Sequence, residues 1–196
     1  MRKKLESFAA SLSVKQIWII LAISFVAFMA SNVYLGILFE NTGYPVPLIE
    51  GQLRFNESSL KQDFLVLIKN GTIEDYGTIQ YLDLSIMLST AIFFGFLALF
   101  IFRKNKSKFW RTNGIALSLL FPLSGLLDFI ENIWLLIMLE NPNEFAGWLA
   151  FVYSSFALMK LIVFAVGLFG ILIVFILSKI QYDRTNSLII TQNGVI

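Results

Sequence analysis

The chain has 196 residues, 57% of them apolar and only 14% charged, against roughly 45–50% and about 25% in soluble domains. Its mean hydropathy is +0.76 and its net charge +2, so a soluble domain of this length would have too little interior to hide its apolar surface. With no Cys and no His, disulfides, thiol chemistry, Ser-His or Cys-His nucleophiles, His-ligated haem and the usual zinc sites are all excluded.

The first apolar run, Ile17 to Phe39, is long enough to cross a hydrocarbon core of about 30 Å. Arg2, Lys3, Lys4 and Lys15 precede it. The run exceeds a signal-peptide core and lacks a clean small-residue cleavage site, so it is expected to be retained as a span. Residues 40–80 form a polar connection opened by Gly43, Pro45 and Pro47, which favour turns. Within it, Leu60, Phe64, Leu67 and Ile68 fall on one helical face. Ser58 or Ser59 is expected to cap that short amphipathic helix and Asn70-Gly71 to stop it.

The second span is read as Tyr81 to Phe102, followed at once by Arg103, Lys104, Lys106, Lys108 and Arg111. A cluster of this kind anchors a cytoplasmic loop more often than it binds headgroups or nucleic acid, and no nucleic-acid partner is expected. The third span is Gly114 to Leu139, closed by a turn over Glu140–Glu144. The fourth runs from Trp148 to about Leu177, ahead of a polar tail with Lys179, Asp183 and Arg184. Eleven Lys and Arg fall on the side of the N-terminus, the basic loop and the tail, against three in residues 40–80. The positive-inside rule then puts both termini in the cytoplasm. The expectation is an all-α integral membrane four-helix bundle, one domain over 1–196, N-in and C-in, with a short helix in its first external loop. Asn56-Glu57-Ser58 and Asn70-Gly71-Thr72 match the glycosylation pattern in that loop, a signal with meaning only in a eukaryotic secretory pathway.

The informative residues are polar ones inside the runs. Asp128, Glu131 and Asn132 share one face of the third span. Lys160 lies in the fourth, Asn32 in the first, and Asp83 near the outer rim of the second. Taking ~1.5 Å per residue, Asp128 lies roughly 16 Å, Glu131 about 12 Å, Lys160 ~18 Å and Asn32 ~10 Å below the same membrane face. A charge at mid-bilayer costs at least ~2.5–3.5 kcal/mol, so these groups should turn inward and pair. Lys160 with Asp128 is the expected ion pair, and Glu131, Asn132 and Asn32 complete the cluster. Two acids against one base leave one negative charge over, so one carboxyl, Glu131, is expected to hold a proton. Pro122 should free a backbone carbonyl and kink the third helix near the site.

The segment Pro122-Leu-Ser-Gly-Leu-Leu-Asp128-Phe-Ile-Glu131-Asn132 resembles a motif of an uncharacterised family of small four-helix membrane proteins. That family carries Asp-x-x-Glu-Asn in its third helix, a Lys in its fourth and an acidic start to its second, positions matched here by Lys160 and Asp83. The resemblance spans about residues 76–165. The Thr that the family carries shortly before that Lys is absent here; Ser154 and Ser155 stand in its neighbourhood. It implies a site at these residues and carries no activity with it. The expected function is a multi-pass membrane protein whose charge cluster binds a lipid, a small ligand or a partner helix. Alternatives are a small proton- or ion-coupled transporter and an intramembrane enzyme using the acid pair. The expected partners are the bilayer itself and a second copy or another membrane protein. No cofactor and no metal are expected, although Asp83, Asp128 and Glu131 offer the oxygen ligands a divalent cation would need.

Overall fold

The structure, a computed structural model, describes residues 7–8, 11–103, 105 and 107–193, with side chains as far as Gln181. The anchors Arg2, Lys3, Lys4, Lys104 and Lys106, and the side chains of Asp183 and Arg184, lie outside that description.

The chain is 86% helical, with no strand among the described residues. In order the helices are α1 (Val14–Thr42), α2 (Leu48–Gln52), α3 (Glu57–Asn70), α4 (Ile73–Phe102), α5 (Lys108–Leu117), α6 (Leu120–Glu140) and α7 (Gly147–Asn193). Four stretches are long and apolar enough to cross a membrane: α1, α4, α5 with α6, and the Gly147–Gln181 part of α7. Their outward side chains are those that water would penalise most. Ile23, Val26, Val33, Leu88 and Phe169 are each more than half exposed, which is stable only in an apolar surround.

Local chemistry sets the helix ends. Ser13 and Gln16 form a reciprocal capping box at the start of α1, and Gly43 ends it at φ +67°, a conformation a Cβ would strain. At α3 the cap is Asn56, not Ser58 or Ser59. Its Oδ1 accepts from the Ser58 and Ser59 backbone amides at 2.9 and 3.3 Å, because it stands one position before the first helical residue. Leu60, Phe64 and Leu67 are buried, whereas Ile68 is exposed.

Three further expectations change. First, α4 begins at Ile73, eight residues before the expected Tyr81. Glu74 and Asp75 suit a helix first turn through its dipole but end an apolar run. Second, the third span is broken at Ser118–Leu119. Pro122 has no N–H for the Ser118 carbonyl, and Leu119 bonds back to Ala116 at 3.1 Å instead. The freed carbonyl lies ten residues before Asp128, roughly 15 Å along the axis, so the kink does not open the polar site. Third, α7 runs on as helix to Asn193 where a polar tail was expected after Leu177.

The helices pack as an open row, α1 on α4, α4 on α6, α6 on α7. α1 packs chiefly on α4, at the outer edge of this row. Small residues permit the close approaches: a Cβ on Gly125 would sit 3.7 Å from the Met87 carbonyl oxygen, and one on Gly114 would lie 2.0 Å from the Phe102 ring. One apolar cluster joins Leu60, Phe64 and Leu67 of α3 to Tyr76, Leu135, Met138, Leu149 and Tyr153. A second, with Leu99, Phe102, Ile115, Phe121 and Ile171, fills the other end. The Arg103 guanidinium donates to the Leu12 carbonyl at 2.7 Å, and Trp110 bonds to Gln181. The N-terminal segment, the basic loop and the far part of α7 therefore meet at one end, and α2 and α3 lie at the other.

Candidate functional site

Between the two apolar clusters lies the charged layer. Lys160 on α7 reaches two carboxylates of α6 at once, Asp128 Oδ1 at 2.5 Å and Glu131 Oε2 at 2.6 Å. Residues three apart on a helix point the same way, which is why one ammonium serves both. Glu131 is fully buried and Asp128 is 17% exposed. The expected Lys160–Asp128 pair is present, and Glu131 shares the same ammonium. The Ser124 hydroxyl fixes the seam by donating to the Lys160 backbone carbonyl at 3.1 Å.

Asn132, one residue on, faces α4 and donates from Nδ2 to Asp83 Oδ2 at 3.1 Å. Asp83 is thus a member of the layer, not a rim residue: starting at Ile73, α4 carries it roughly 15 Å below the helix start. Lys160 thus answers two of the three carboxyls and Asn132 the third, and taking any of these charges out of water is repaid only by such contacts. Glu131 Oε1 is buried and makes no hydrogen bond, and Thr90 Oγ1, two turns beyond Asp83 on α4, is likewise unpartnered.

Asn32 does not join Glu131 and Asn132. Its amide donates to the Phe28 carbonyl of its own helix at 2.7 Å and stays exposed, because α1 lies outside α4. It lines instead a crevice of about 300 Å³ between α1 and α4, with α2 at its mouth. Asp83, Glu40, Gln52 and Gln80 supply the other polar groups there, over an apolar floor of Leu35, Phe39, Ile79 and Ile86. Gln80, like Asn32, spends its N–H on a backbone carbonyl, that of Tyr76 at 3.2 Å. The charged groups in this crevice are both acids, Asp83 and Glu40, beside the side-chain amides of Asn32, Gln52 and Gln80.

Above the layer stands a group of tyrosines that sequence reading did not assemble. Tyr153 is two turns before Lys160 on α7 and fully buried. Tyr76 packs in the same buried cluster as Tyr153, and the Tyr44 and Tyr76 rings stack at 5.0 Å. Tyr44 donates to Asp63 Oδ2 at 3.3 Å, and Asp63 also takes Arg54 Nε at 3.2 Å. Burial, with Tyr76 and Asp63 beside it, pushes the Tyr44 hydroxyl well above the ordinary phenol range. Nearby, the buried Ser154 hydroxyl accepts from the Phe55 amide at 3.0 Å, holding Phe55 at φ +51°. Of these residues, only Ser154 is singled out in the sequence, through the family resemblance.

Fold and site together define a helical chain with four helices of membrane-spanning length around a buried charged layer. No protein-family model matches the sequence, and no curated protein and no solved structure matches it.

Proposed function

We propose that this is a multi-pass membrane protein that binds a ligand carrying an ammonium group, an amine-headed lipid in the first instance, in the α1–α4 crevice beside Asp83. One observation carries the reading: the crevice holds two carboxylates, Asp83 and Glu40, with no cation among its lining residues. An ammonium group has three donors and no acceptor, and it would also offset the negative excess of three carboxyls over Lys160. The crevice lies on the flank of α1, whose neighbouring side chains are exposed and apolar, and its own floor is apolar, so acyl chains have a surface to follow. The resemblance to the small four-helix family supports a site at Asp83, Asp128, Glu131, Asn132 and Lys160. An acid–base enzyme is disfavoured, since Asp128 and Glu131 both point at Lys160 rather than at a shared reaction space.

The orientation belongs to the same proposal. The end with the N-terminal segment, the basic loop and Gln181 faces the cytoplasm of a cell membrane, and α2 and α3 face out, in keeping with the Lys and Arg bias. The test is thermal unfolding with added phosphatidylethanolamine, with phosphatidylglycerol of the same chains, and with free ethanolamine. A ligand at about a hundredfold its Kd adds ~2.7 kcal/mol. The amine lipid should raise Tm, and Asp83→Asn should abolish that rise. Ethanolamine acting alone would identify a soluble amine as the ligand. Equal stabilisation by both lipids, or a rise unchanged in Asp83→Asn, would overturn the reading.

A further inference from the structure

We infer that α2 is a lid on the α1–α4 crevice, seated on Tyr44 through Gly51 and latched by Arg54 on Asp63. The crevice has three walls: α1, α4, and Leu48 with Gln52 of α2. The first two are helices of 29 and 30 residues, the third a helix of five. The backbone hydrogen bonds of residues 47–53 stay within the segment: Glu50 and Gly51 donate to Pro47, and Leu53 to Ile49 and Glu50. Pro45 and Pro47 have no N–H with which to anchor the arm that leads into it. Firm points stand at its two ends. At one, the Tyr44 ring stacks on Tyr76 and its amide donates to Thr42 Oγ1 at 3.3 Å. At the other, the Phe55 amide donates to Ser154 Oγ at 3.0 Å. Phe55 is the one non-glycine residue at positive φ among the described residues. Such strained positions persist where surrounding contacts impose them, and they gather at ligand clamps and switches.

Between the ends, two contacts hold the segment down. Gly51 is the buried residue of α2. It lies so close to Tyr44 that a Cβ would come 2.6 Å from the hydroxyl oxygen and 2.7 Å from Cε1, so only glycine lets the helix seat on that ring. The second contact is Arg54, which grips both oxygens of Asp63: Nε donates to Oδ2 at 3.2 Å and Nη2 to Oδ1 at 3.4 Å. Asp63 is a fixed post. It is only 5% exposed, Tyr44 donates to it as well, and its helix, α3, is pinned in the apolar cluster by Leu60, Phe64 and Leu67. Seat and latch therefore both refer α2 to a part of the protein that does not move with it. With the latch broken, residues 45–54 swing between Tyr44 and Phe55 and uncover the crevice at the α2–α3 end.

The inference rests on the crevice being the binding site of the proposed function, and its test uses no ligand, in phosphatidylglycerol nanodiscs free of amine. The chain has no Cys, so Ile79→Cys puts a single thiol in the crevice floor. A hydrophilic methanethiosulfonate must pass α2 to reach it, since the membrane-facing flank is apolar. Arg54→Gln breaks the latch and Gly51→Ala the seat. Each should raise the modification rate about tenfold, the population shift expected from losing one hydrogen bond to a charged group. Hydrogen exchange over residues 47–53 should quicken with it, and exchange over 73–86 should not. Lys69→Gln, in the exposed last turn of α3, should react at the parent rate. The parent rate in either folded lid variant would overturn the lid. So would quickened exchange over α4 as well, since the bundle rather than α2 would then have loosened. The expected rates in a protein that shows no preference for phosphatidylethanolamine would keep the lid and remove only the amine reading.

Discussion

Removing the ammonium of Lys160 should be far more damaging than its one-residue scale implies. Lys160→Met leaves Asp128 and Glu131 facing each other across a site where Glu131 has no exposed surface and Asp128 only 17%. Breaking a buried ion pair from one side costs about 3–5 kcal/mol, and full burial of Glu131 places this site in the upper part of that range. At roughly 2–4 °C per kcal/mol for a chain of this size, Tm should fall by about 6–20 °C. Glu131→Gln alone should cost only ~1–2 kcal/mol, because Asp128 still answers Lys160 at 2.5 Å. The triple change Lys160→Met, Asp128→Asn, Glu131→Gln should recover at least half of the loss, since neutral partners leave only amide groups to satisfy. The assay is intrinsic-fluorescence unfolding in detergent or nanodiscs, reported by Trp134 and Trp148, which pack edge to face between the later part of α6 and the start of α7. A loss in Lys160→Met below about 1 kcal/mol, or effects that simply add, would show that the three groups are not coupled.

Other substitutions separate packing from polar contacts. Gly114→Ala drives a methyl into the Phe102 ring and should cost about 1–3 kcal/mol or more, whereas Gly36→Ala meets nothing within 4 Å and should stabilise α1 by roughly 0.5–1 kcal/mol; both are read from Tm. Ser154→Ala strips the Phe55 amide of its acceptor and should cost about 1–3 kcal/mol, with faster hydrogen exchange at that amide. Asn56→Ala removes the α3 cap at a cost of ~1 kcal/mol, seen as faster exchange across residues 57–60. For orientation, a Cys at Ser58 should react with an impermeant thiol reagent added to intact cells, and one at Ser107 should be protected.

How far the sequence reaches depends on the kind of signal each element carries. Four spans follow from run length alone, because a bilayer demands about 20 apolar residues. Asp128, Glu131 and Lys160 stand out because charge in such runs is expensive, and helical spacing puts the two acids together. Helix limits were harder to read. Glu74, Asp75 and Gln80 end the hydropathic run but not the helix, and that error alone moved Asp83 from the layer to the rim. Depth was legible for Asn32, yet angle around the helix was not, since α1 is apolar on every side and offers no face to orient. The same uniformity hid the open row. Tyr44, Tyr76 and Tyr153 come from three separate segments and meet only in the apolar cluster built on α3.

Native mass spectrometry of the protein released from a mixed phosphatidylethanolamine and phosphatidylglycerol bilayer most directly tests the claim that the acidic crevice beside Asp83 selects an amine. One tightly retained phosphatidylethanolamine per chain, lost in Asp83→Asn and kept in Asn56→Ala, which lies outside the crevice, is the predicted spectrum. Retention of the two lipids in proportion to the bilayer, or an unchanged phosphatidylethanolamine adduct in Asp83→Asn, would contradict it.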